Sequence, residues 1–162
     1  MSGDRRRSRA ATETKADGAR VRRQRSQPGA AVPALSSEVI EAALYRAAEG
    51  EPAAEATAYI LTEEGSFVRQ ADLYALCLEW SDDGRYATVR WPVLRELVTR
   101  PESPYQDGPL RTLLLLCCSL HDDGPVPLTR LSSLDTTEAR IVSRGIHIAT
   151  GKLTLAQALG TA

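Results

Sequence analysis

From Leu35 onward, apolar residues recur at intervals of three and four. Leu35, Val39, Ile40, Ala43, Leu44 and Ala47 fall on one face of a helix, and Ser36 or Ser37 is placed to cap its start. Gly50 ends that helix, and Pro52 occupies the first-turn position of a second, short one carrying Ala53, Ala56, Ile60 and Leu61. Gly65 breaks it. Ser66 then stands where it would cap a third helix running to Leu78, with Phe67, Ala71, Tyr74, Ala75 and Leu78 inward.

Residues 76–91 fit two readings. Leu76, Leu78 and Trp80 alternate with polar positions, as do Ala87, Val89 and Trp91, and Asp83-Gly84 lies between the two runs. That is a hairpin signal. The helical spacing before it equally fits a helix–loop–helix. Pro92 pushes Trp91 out of the helical region and starts a helix over 92–99, with Val93, Leu94, Leu97 and Val98 as its stripe. Residues 100–108 read as a surface loop.

Residues 109–120 open with Pro109 and are apolar nearly all round, from Leu110 through Leu113–Cys118 to Leu120. A helix without a polar face is a buried one, so this segment is expected at the centre of the fold. Residues 121–126 form a turn, and Pro127 starts a short helix bearing Leu128, Leu131 and Leu134. Asp135-Thr136-Thr137-Glu138 is a capping box ahead of a helix with Ile141, Val142, Ile146, Ile148 and Ala149, ended by Gly151. Leu153–Leu159 adds a final turn or two. The pattern predicts an all-α, small multi-helix orthogonal bundle over residues 35–162, with a short β-hairpin near 76–91 as the open alternative.

Residues 1–34 differ. Beyond Met1 their only large aliphatic residues are Val21 and Val32, and they are rich in Arg, Ser, Gln, Ala and Gly. Such a segment cannot bury enough surface to offset about 1–2 kcal/mol of backbone entropy per residue, so it is expected to be disordered. Nine basic side chains against Asp4, Glu13 and Asp17 give it a formal charge of +6, which leaves −7 on the remainder of a chain whose net charge is −1. Arg5, Arg6, Arg7, Arg9, Arg20, Arg22, Arg23 and Arg25 form the arginine set of a flexible phosphate-binding arm for DNA or RNA. The segment holds no aromatic residue to stack on bases. A solvated tail, or one contacting an acidic protein surface, is the competing interpretation.

Sparse aromatics, 5% of residues, mean that the core is aliphatic. Cys77, Cys117 and Cys118 are odd in number and two are neighbours, which suits buried thiols in a reducing cytoplasm better than a disulfide framework. No apolar run approaches the roughly 20 residues of a membrane span, and Arg5-Arg6-Arg7 lacks the apolar stretch of an export signal. Heavy Arg and Ala use suggests a GC-rich bacterial source.

Chemistry is hard to find. Arg140, Arg144 and His147 would serve a DNA-binding regulator using residues 127–150 as a helix-turn-helix, but the turn before Asp135 is too short, and a packed helical hairpin explains the same pattern. Gly145–Lys152 imitates a phosphate loop with one residue too many, and Leu153 stands where a hydroxyl should bind magnesium. Cys117 and His121, four apart, with Cys77 do not complete a zinc set. The pairs Glu63-Glu64, Asp82-Asp83 and Asp122-Asp123 sit beside glycines, where acidic residues make turns. A small enzyme would need them to converge on His121 or His147. No catalytic, cofactor-binding or metal-ligating set is assigned. Trp80, Tyr86 and Trp91 are either the core's large side chains or a protein partner's docking surface.

The leucine-rich helix from Leu110, the Pro125-Val126-Pro127 turn, the Leu128, Leu131, Leu134-Asp135 corner and the isoleucine-rich helix to Gly151 together resemble small helical proteins of actinomycete plasmids and integrated elements. The resemblance spans about a quarter of the chain. It implies an accessory role in element transfer or spread and carries over no functional residue. The reading that follows is a cytoplasmic, non-enzymatic interaction protein. Its basic tail contacts nucleic acid and its helical body binds a protein partner.

Overall fold

The computed structural model describes residues 35–105, 108–125 and 128–161. The eight tail arginines and the helix start at Pro127 lie outside them. The described residues form eight α-helices, one 3-10 helix and one two-stranded antiparallel sheet. None of these helices is long and apolar enough to cross a membrane.

Helix α1 (Ser37–Ala48) turns out of extended backbone at Ser36, whose hydroxyl makes no capping bond. It buries Ile40, Ala43, Leu44 and Ala48 and leaves Val39 exposed. Helix α2 (Pro52–Glu64) follows and stops at Gly65, which adopts the left-handed φ of 79° that favours glycine. Here the sequence expectation needs correcting. The short second helix is thirteen residues long, and its seven successive residues Ala56–Thr62 are all buried. It packs against α1 and four later helices. The centre of the fold is therefore α2 rather than residues 109–120 alone.

The reason is visible in its polar residues. Thr57 donates its hydroxyl to the Ala54 carbonyl at 2.9 Å, and Thr62 donates to Ala58 at 2.9 Å. Tyr45 of α1 also bonds the Thr62 hydroxyl, and burial pushes the Tyr45 phenol up to about 12. Hydroxyls satisfied within their own helix can be buried at little cost, so a mixed sequence becomes a core element.

The expected helix from Ser66 to Leu78 is broken. Helix α3 (Ser66–Arg69) and helix α4 (Ala71–Cys77) meet at Gln70, whose backbone is extended. Gly65 occupies the position before α3 that Ser66 was expected to fill. The break lets Phe67 and Val68 face the core together with Leu73, Tyr74 and Cys77, which one straight helix could not do. Ala71 and Ala75, expected inward, are exposed.

Both readings of 76–91 hold in part. Helix α4 ends at Cys77, and strands β1 (Leu78–Trp80) and β2 (Ala87–Val89) follow at once. Their register pairs Leu78 with Val89, Glu79 with Thr88 and Trp80 with Ala87. Helix α5 (Trp91–Thr99) includes Trp91, one residue earlier than Pro92 implied. Helix α6 (Pro109–His121) buries Thr112, Leu113, Leu114, Leu116, Cys117 and Cys118.

The segment after it, Leu128–Ser133, is a 3-10 helix rather than an α-helix. Helix α7 (Thr136–Ala149) starts at the expected capping box. Asp135 accepts from Thr137 N at 2.7 Å and Glu138 N at 2.8 Å, and Glu138 accepts from Asp135 N at 2.8 Å. Helix α8 (Leu155–Leu159) repeats the device with Thr154 and Gln157.

Candidate functional site

The largely apolar pocket lies where α1, α2 and β2 meet the start of α5 and the end of α6. Its volume is about 280 Å³. Leu44, Ala47 and Ala48 come from α1, and Ala54, Thr57, Ala58 and Leu61 from α2. Ala87, Thr88 and Val89 form the strand wall, and Trp91 and His121 close one end. Five alanines explain why there is space: each presents only a methyl where a leucine would fill the gap. Thr57 has its hydroxyl bonded back to Ala54, so this wall presents no free donor.

Trp91 and His121 stack with ring centroids 4.6 Å apart and planes inclined by 17°. Partial burial, then the nearby Arg95 guanidinium, lowers the His121 pKa below its usual 6.5. The imidazole is therefore held neutral at pH 7 and completes an aromatic rim. No acidic residue lines the pocket among the described residues.

The aromatic trio named from sequence is split among different surroundings. Trp80 and Trp91 are half-buried against the core, whereas Tyr86 is 41% exposed with the Arg85 guanidinium 6.0 Å from its ring centre. Only Trp91 lines the pocket. Arg46 of α1 ties this region down by donating to the Arg85 carbonyl at 2.8 Å.

The acidic pairs make turns and pairs. Asp83 accepts from the Ser81 hydroxyl at 2.7 Å and the Arg85 amide at 3.1 Å, bonds that hold its carboxyl below the usual range. Glu64 accepts from the Ser66 amide at 2.9 Å, and Asp122 pairs with Arg95. Burial raises the thiol pKa of all three cysteines, Cys77 to about 11, and they are free thiols. Among the described residues no three His, Cys, Asp or Glu side chains gather as a metal site.

Arg140, Arg144 and His147 are all exposed, at the spacing of one helix face. Arg144 hydrogen-bonds the Tyr59 hydroxyl of α2, which raises its pKa, and a 3-10 turn stands where a helix-turn-helix needs its first helix. Gly145 lies inside α7, buried against Ile60, and the imitation phosphate loop is the end of that helix followed by its terminating turn at Thr150–Lys152, with Gly151 at a left-handed φ of 68°. Sequence reasoning missed the alanine-floored pocket. Ala47 lies on the apolar stripe of α1, yet it lines the pocket while Ala56 of α2 packs in the core, and nothing in their spacing distinguishes a methyl that packs from one that leaves a gap. No protein-family model, no curated protein and no solved structure matches this chain.

Proposed function

We propose that the chain is a non-enzymatic accessory protein whose helical body binds a protein partner, while Arg5, Arg6, Arg7, Arg9, Arg20, Arg22, Arg23 and Arg25 contact nucleic acid phosphates. The observation that carries this reading is the pocket of about 280 Å³ walled by alanines and rimmed by the Trp91–His121 stack. It suits one large apolar side chain of a protein partner, the kind of central anchor on which interfaces depend. Its lining holds no acid–base pair for catalysis. The charge division, +6 on residues 1–34 and −7 beyond, supports a phosphate-binding segment separate from the body. The resemblance to small helical proteins of actinomycete plasmids and integrated elements supports an accessory role in such an element.

The test uses a photo-crosslinking residue in place of exposed Thr88, at the pocket wall. A cross-linked protein partner that Ala54→Leu removes is the expected result, because the added side chain fills the pocket. Products unchanged by Ala54→Leu, or no product, would overturn the reading.

A further inference from the structure

The chain has two histidines, His121 and His147, and the fold sets them apart. His147 lies exposed on α7, whereas His121 is the last residue of α6 and lines the apolar pocket. Among the described residues that line it, His121 alone carries a side chain that changes charge near neutral pH.

The geometry couples that charge to the pocket. The His121 ring lies on Trp91 with centroids 4.6 Å apart and planes inclined by 17°, so the end of α6 and the start of α5 meet at the rim. His121 is exposed, so solvent protons reach it, and a group filling the pocket has to lie against it. The charged group acting on it from α5 is Arg95, whose guanidinium disfavours an imidazolium and pairs with Asp122, the residue after His121. On α6, Cys117 lies one turn back as a thiol held well above its usual pKa by burial. From the other walls, Arg46 of α1 donates to the Arg85 carbonyl, Glu55 of α2 accepts from the Gly50 amide, and Arg90, after β2, donates to the Leu76 carbonyl. Each of these charged side chains bonds a group other than the imidazole.

An imidazolium at an apolar rim is tolerable while water hydrates it and costly once an apolar group displaces that water. The C-terminal end of α6 favours the charged ring, an effect smaller than that of burying a charge against an apolar group. We infer that acidification releases the occupant of this pocket, an uncharged apolar side chain of the partner, with His121 as the switch. The inference rests on the reading of the pocket as the partner's anchor site. Neutral, the imidazole extends the apolar rim of Trp91; protonated, it puts a charge against the occupant. An occupied pocket therefore holds the His121 pKa lower than an empty one. Affinity is constant above the empty-state pKa, itself lowered from 6.5, and falls by up to about tenfold per pH unit below it.

The probe is N-phenylnaphthylamine, uncharged between about pH 5 and pH 8 and brighter in apolar surroundings, titrated into the full chain. Its Kd is expected to hold steady from pH 8 to pH 7 and to rise at least about threefold by pH 5. His121→Gln should show one Kd at pH 7 and pH 5, whatever its affinity, and His147→Gln should keep the full response. On saturation with the probe, the His121 ring proton resonance of the parent should titrate at lower pH than without it, a readout that needs no substitution at the site. Ala54→Leu should weaken probe binding at every pH. Probe binding that Ala54→Leu weakens but that is equal at pH 7 and pH 5 would overturn the switch and leave the anchor reading standing. So would a pH response that survives His121→Gln or vanishes in His147→Gln, or a ring titration that the probe does not move. No binding at pH 7, or binding indifferent to Ala54→Leu, would overturn the anchor reading and the switch together.

Discussion

Gly145→Ala should destabilise this protein although alanine is the better helix former. Gly145 lies in mid-α7 against α2, where a Cβ would stand 2.6 Å from Ile60 Cδ1 and 2.7 Å from Ile60 Cγ1. Ile60 is 0% exposed, so it has nowhere to swing. Overpacking of this kind costs about 1–3 kcal/mol, and the gain in helix propensity returns about 1 kcal/mol. A net loss of about 1 kcal/mol is expected, read as a lower urea midpoint at unchanged slope in far-ultraviolet circular dichroism.

The decisive comparison is with Ile60→Ala, which alone costs about 2–5 kcal/mol and removes both offending atoms. In that background Gly145→Ala should change sign and stabilise by about 1 kcal/mol, through propensity and partial refilling of the gap. Destabilisation of equal size in both backgrounds would refute the close-approach argument. So would stabilisation in the parent.

Three further outcomes follow from the geometry. Asp135→Ala removes the acceptor for Thr137 N and Glu138 N and should cost about 1 kcal/mol in the same urea assay, whereas Asp135→Ser should recover most of it. The three buried thiols, with Cys77 raised to about 11, should resist an aromatic disulfide reagent at pH 8 in native protein and react fully in denaturant; fast native labelling would contradict their burial. Because His121 is stacked on Trp91 with its pKa lowered, the native state takes up this proton less readily than the unfolded chain. Its contribution to stability is present above about pH 6.5 and declines as pH falls toward the lowered native value. Trp91 emission should follow that protonation with a midpoint below 6.5 and lose the transition in His121→Gln.

Much of the fold was legible. Gly50, Gly65, Pro52, Pro92 and the Asp135 box mark helix boundaries through local chemistry, and they stand within a residue or two of where the chain turns. What was not legible depended on tertiary burial. The break at Gln70 exists because Phe67 and Leu73 both need the core, and no residue there is a helix breaker. The centrality of α2 was hidden because Thr57, Tyr59 and Thr62 look polar until their hydroxyl partners are known. The candidate sites were less legible still. Trp91 was named, but its stacking on His121 joins residues thirty positions apart.

The proposed function assigns nucleic acid to the arginine-rich segment and a protein partner to the helical body. It is tested most directly by binding to a labelled duplex across a salt series, with the full chain and its tail-neutralised variant. If six phosphates are engaged, affinity for the parent should fall about a thousandfold between 50 and 200 mM salt, and the neutralised variant should lose most of both affinity and slope. Binding that survives neutralisation, or no binding by the parent at low salt, would contradict the account.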